Sequence, residues 1–178
     1  MNKTKLLILV ALNLFCINVY AATNTNAYKI ELIIFSQDMP NTEVFEQTES
    51  KIVWPKRVDK LSDYGNITAE FKTLKRSYAN LASGKGYKPL KYAAWIQKIK
   101  VNSLSRAVKI TNRDGTINGY FRIQRGHLIH MIADIEYSTD SLVYRLNEKR
   151  RFKLNDTHYL DHPKFGILAR ISPVEKSK

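Results

Sequence analysis

The chain has a single cysteine, Cys16. It falls inside an N-terminal segment that bears the marks of export, so the exported chain has no thiol. A disulfide-stapled scaffold is therefore excluded, and a hydrophobic core must hold the fold. Long apolar runs are as scarce. The one that exists, Leu6 to Val19, is interrupted by Asn13 and Asn18 and is shorter than the roughly 20 residues a spanning helix needs. Lys3 and Lys5 precede it, and Val19-Tyr20-Ala21 supplies the small residues that a signal peptidase accepts. A charged start, a short apolar centre and a small-residue exit describe a secretory signal over residues 1–21, cleaved after Ala21. Phe15 stands where a lipobox needs a small residue, so neither lipid nor helix supplies a stable membrane anchor.

Acidic residues are also few, 16 against 29 lysines and arginines, for a formal charge of +13. Without the signal about +11 remains, a balance that favours anionic partners. Export removes nucleic acid from that set. Phospholipid headgroups, lipopolysaccharide phosphates and peptidoglycan carboxylates are left, beside the plainer alternative of a lysine-rich genomic composition.

Catalytic patterns are missing too. No serine or cysteine stands in a nucleophile elbow or triad context. Metal-free glycan cleavage needs two facing carboxylates, and the spacing of Glu31, Glu43, Asp134, Glu136 and Asp161 forces no pair. The histidines come as His127-x-x-His130 and His158-x-x-x-His162. With Asp134 or Asp161 they would supply enough donors for zinc. In a hairpin, however, His127 falls in the loop while His130 projects from a strand. No catalytic residue, metal or cofactor is assigned.

What is present reads as an α+β chain. Residues 22–27 form a polar leader, and Tyr28 to Phe35 reads as a strand buried on both faces. Ser36 to Lys60 has no sustained period and is expected to be an irregular crossover, with Glu43, Glu46 and Glu49 three apart and Trp54 as a core plug beneath it. From Ile67 to Ala82 apolar residues recur at helical spacing, with Thr68 as N-cap and Gly84 and Gly86 as stops. Lys72, Lys75 and Arg76 make its solvated face. Leu90 to Ile99, Ala107 to Ile110, Ile117 to Gln124, Leu128 to Tyr137 and Leu142 to Lys153 read as strands. The expected fold is a mainly antiparallel sheet, a meander of about five strands, with one principal helix packed on it.

Register decides which side chains share a face. A three-residue loop, Arg125-Gly126-His127, would pair Phe121 with Met131 and Ile123 with Ile129. One apolar face then continues through Ala133 and Ile135, and the opposite face carries Arg122, His130, Asp134 and Glu136. In the next strand Arg150 shares a row with Tyr144, Leu146 and Phe152, so it must lie near an edge or beside an acid. Residues 174–178 form a basic tail.

The most specific stretch follows. Arg150-Arg151 precedes His158-Tyr159-Leu160-Asp161-His162-Pro163, and an apolar strand from Phe165 to Ile171 closes the domain. Upstream, Gly86-Tyr87 leads to Ala94-Trp95-Ile96-Gln97. Both patterns resemble the CsiV family of periplasmic peptidoglycan-binding proteins, over a single CsiV-like domain at residues 28–173. The resemblance implies a periplasmic, non-enzymatic protein that binds peptidoglycan and supports cell-wall assembly and cell shape, with peptidoglycan synthesis proteins as further partners. It also makes Trp95 structural. Arg150 and Arg151 suit an incoming carboxylate, because a guanidinium fork matches it bidentately. The candidate binding residues are Arg122, His130, Arg150, Arg151, His158, Tyr159, Asp161 and His162. An Arg–Asp–His cluster that merely pins the last strand is the structural alternative. A protein-interaction module of the envelope and a peptidoglycan hydrolase are the functional ones.

Overall fold

A computed structural model describes residues 26–38, 51–65, 73–139 and 142–174. The signal and most of the leader, Glu43, Glu46 and Glu49, the Thr68 cap and the basic tail after Val174 lie outside them.

Among the described residues ten strands form two sheets. The four-stranded sheet has the order β3 (Tyr87–Lys98), β1 (Ala27–Gln37), β10 (Phe165–Pro173), β9 (Thr157–His162), all antiparallel. The other runs β2 (Val58–Lys60), β5 (Ala107–Thr111), β6 (Ile117–Arg125), β7 (Ile129–Thr139), β8 (Leu142–Arg151), with β4 (Ser103–Leu104) paired to β6. Only the β2–β5 pair is parallel. A 3₁₀ turn, Leu61–Tyr64, follows β2, and the one described helix is α1 (Lys75–Ser83).

Both faces of β1 are covered, as its composition requires. Tyr28, Ile30, Leu32 and Ile34 enter the main core, while Ile33 and Phe35 pack on the other side with Leu74 and Leu81 of the helical segment. Glu31 is fully buried on that outer side. Lys29 Nζ lies 2.8 Å from its Oε1, and Tyr92 Oη and the Leu74 amide donate to Oε2 at 2.6 and 3.1 Å. The main core fills the space between the sheets. Trp95 of one sheet and Phe121 of the other meet edge to face at 5.9 Å inside it, so Trp95 is structural.

The α+β class and the antiparallel meander hold for β5 to β8. The single sheet does not. The His158–His162 part of the motif lies in strand β9, which the sequence pattern did not reveal and which is hairpinned to β10 through Pro163-Lys164. That hairpin and β3 flank β1 in a second sheet. Parity patterns within a strand carry no information about which sheet it joins, and this is why one sheet was expected. The β6–β7 loop has three residues but is centred on His127, with Arg125 opposite Ile129 and Phe121 opposite Ala133. The shift is two residues, so every side chain keeps its expected face. Trp54 is not a core plug. It is 39 % exposed and leans on Tyr120 from outside the six-stranded sheet.

Candidate functional site

The eight residues expected to form one site fall on three parts of the molecule. Arg122, His130 and Arg151 lie on the outer face of the six-stranded sheet, where His130 and Arg151 are direct partners across β7 and β8. Arg122 is part-buried and donates from Nη2 to the Ser105 carbonyl at 3.0 Å. Burial holds its guanidinium below the ordinary arginine value. On the same face Arg145 grips the buried Asp134 bidentately, at 2.7 and 2.8 Å.

Arg150 faces the other way. Its Nε pairs with Glu148 at 2.8 Å, and its Nη1 donates to the Tyr159 carbonyl at 2.7 Å. It thereby ties the edge strand of one sheet, β8, to the edge strand of the other, β9. Both parts of the sequence expectation, an edge and an acid, are met. His158 sits at the start of β9, where its ring meets Phe152 edge-on and bonds the Lys153 backbone. It is about 13 Å along the strand from His162, too far to share a metal ion.

Tyr159 and Asp161 meet on one face of β9, while the His162 ring lies on the other. Tyr159 Oη lies 2.5 Å from Asp161 Oδ1 and 3.1 Å from Gln37 Oε1, and its single proton serves the shorter contact. Gln37 Nε2 donates to the His162 carbonyl at 2.6 Å and to Asp161 at 3.2 Å. The Tyr159 ring stacks on Phe35, which is possible because Gly166 lies between them. A Cβ at Gly166 would meet both rings at 2.6 Å. Burial and the Asp161 carboxylate push the Tyr159 phenol well above its ordinary value, so it stays a hydrogen-bond donor. His162 packs between Tyr144 and Phe165. Burial lowers its imidazole pKa against the opposing pull of Asp161.

This cluster borders a cleft of about 490 Å³ at one end of the two sheets. Tyr87, Tyr137 and Tyr144 line it, with Gln37, Lys88 and Lys164 among the polar groups. Its wall is fixed by backbone bonds from Gln37 to Lys164 at 3.0 Å and from Asp38 to Gly86 at 2.7 Å. Tyrosines offer an apolar ring with a polar tip, suited to sugar faces and peptide amides alike. Two ammonium groups add a place for carboxylates. Sequence reasoning singled out none of Gln37, Lys88, Tyr137, Tyr144 or Lys164, which come from four strands and a turn. Only the Gly86-Tyr87 turn was visible beforehand, as part of a motif.

Among the described residues no helix is long and apolar enough to cross a membrane. No curated protein and no solved structure matches the chain. A family model described as "Peptidoglycan-binding protein, CsiV" matches residues 66–174, from the segment before α1 to the end of β10 and so through most of the cleft lining. The chain belongs to the CsiV family.

Proposed function

We propose that this chain is a periplasmic, non-enzymatic protein that binds peptidoglycan in the tyrosine-lined cleft and supports cell-wall assembly and cell shape by contacting the synthesis machinery. Residues 1–21 are removed on export, and residues 28–173 act as one domain. The observation that carries the reading is family membership, because the matched span includes Tyr87, Lys88, Tyr137, Tyr144 and Lys164. In this reading Tyr137 and Tyr144 pack against sugar rings, and Lys88 and Lys164 pair with stem-peptide carboxylates. Tyr159, Asp161 and His162 shape the cleft's border, while Arg150 closes the seam between the sheets. Asp38 is the only carboxylate among the described lining residues, whereas metal-free glycosidic cleavage uses two; this favours binding over hydrolysis. The protein-module alternative gains little from the β8 edge. That strand carries Arg145, Lys149, Arg150 and Arg151, and charge of this kind discourages edge-to-edge pairing.

The test is sedimentation of residues 22–178 with purified sacculi at low and high salt, beside a basic control protein. Wild type should sediment in a salt-resistant manner. Lys88→Ala/Lys164→Ala should lose most of that binding, and Arg150→Ala/Arg151→Ala should retain it. No sedimentation, or binding that salt abolishes equally for the control, overturns the glycan reading.

A further inference from the structure

A second cleft, of about 350 Å³, shares no lining residue with the first. It is lined by Lys60, Leu61, Ser62, Lys91, Lys109 and Thr111. Its position follows from the crossover. The short strand β2 pairs in parallel with β5, and the 3₁₀ turn then carries the chain toward β3. Three lysines from three separate strands are thereby brought to one cavity.

The arrangement is electrostatically unfavourable as it stands. Lys60 and Lys109 are direct register partners across the β2–β5 pair, and like charges placed opposite each other destabilise a sheet. Lys91 comes from β3, beside a bulge: Ile34 pairs with Lys91 and Phe35 with Pro89, leaving Leu90 without a partner on β1. Bulges of this kind re-aim neighbouring side chains. Lys91 is half-buried, and burial lowers its pKa. Among the described residues no carboxylate lies within ion-pair distance of any of the three; Lys109 rests instead over the Trp54 ring at 5.5 Å. The two described acids nearest the cleft in sequence, Asp59 and Asp63, are engaged elsewhere. Asp59 pairs with Arg106 at 2.9 Å and accepts from Tyr64 at 2.6 Å, and Asp63 accepts from the Lys60 amide at 2.8 Å. Both line the neighbouring cleft. Cations and carboxylates of one short segment are thus sorted to different sides.

We infer that the Lys60–Lys91–Lys109 cleft is a binding site for a phosphate-class dianion, a phosphate monoester or a diphosphate. Three compact ammonium groups act as point charges and match a multiply charged tetrahedral anion better than a planar carboxylate. The hydroxyls of Ser62 and Thr111 supply further donors. The anion can arrive free in solution or as a lipid headgroup.

Calorimetric titration of residues 22–178 with inorganic pyrophosphate tests the site, with acetate as the carboxylate control. Flotation with vesicles containing phosphatidic acid, against vesicles of phosphatidylcholine alone, separates a lipid source from a soluble one. Pyrophosphate should bind and acetate should not. Lys60→Gln/Lys109→Gln, both exposed positions, should weaken binding by about tenfold or more while leaving sacculus sedimentation unchanged. Lys91→Gln should do the same, and circular dichroism confirms that each variant is folded. Absence of heat with pyrophosphate, equal affinity in the folded double variant, or equal binding of acetate overturns the proposal.

Discussion

A fully buried glutamate in the central part of strand β1 is held in its charged form by its neighbours. Burial alone would raise the Glu31 pKa, but the Lys29 ammonium, the Tyr92 hydroxyl and the Leu74 amide outweigh it and lower it. A folded-state pKa below the unfolded one means stability that is fully present above the unfolded value, near 4.3, and lost as pH falls through the folded value. Chemical denaturation between pH 6 and 3 should therefore show a steeper loss for wild type than for Glu31→Gln. At pH 7 the variant should be less stable by about 1–3 kcal/mol, since it weakens bonds to a buried charge. Single-residue readings from sequence succeeded where one strand's parity was enough. Arg150 had to find an edge or an acid, and it finds both. Trp54 failed because a buried tryptophan and one leaning on an outer face have the same local sequence, and only its contact with Tyr120 distinguishes them.

At the scale of elements, the β9–β10 hairpin depends on close approach at one position. Gly166 lets Phe35 and Tyr159 pass over the backbone, and neither ring can keep its place if a methyl group is added. Gly166→Ala should cost about 1–3 kcal/mol through overpacking. A lowered melting temperature would register this loss, while an unchanged melt would show that the Tyr159 ring swings out freely. The β6–β7 hairpin was legible in loop length and in the face of every side chain, but not in its centre. Periodicity of two cannot distinguish registers that differ by two. Strand β9 is not visible in the sequence because its polar residues His158, Asp161 and His162 mask the strand pattern, and only Leu160 is fully buried. The helix was legible by its spacing only in its second half: Thr73 and Leu74 form a turn, Leu74 rather than Thr68 is the N-cap, and Lys75–Ser83 ends at Gly84 as expected.

For the whole molecule, one core is shared by both inner faces, from Tyr28 and Ile30 of the first sheet to Ile123 and Met131 of the second. Neither sheet can open without exposing the other. Unfolding in denaturant should be a single transition, with the fluorescence of buried Trp95 and the far-ultraviolet dichroism changing together. Two separated midpoints would show that the sheets are independent. The division into two sheets was not legible, because it depends on β1 pairing with β10, whose residues stand at the far end of the chain. The cleft was hidden for the same reason: its walls meet only after that pairing forms.

The pairing has a further consequence. Tyr28 stands opposite Pro173, and the Val174 amide donates to the Ala27 carbonyl at 3.0 Å. The polypeptide therefore enters β1 and leaves β10 at the same place. Gln37, which lines the tyrosine cleft, is at the opposite end of β1, about 33 Å away along the strand. A fluorescent fusion, an affinity handle or a surface linkage joined just before Asn26 or just after Val174 starts at the end of the domain opposite that cleft, so the protein can be displayed on a sensor chip with the cleft outward.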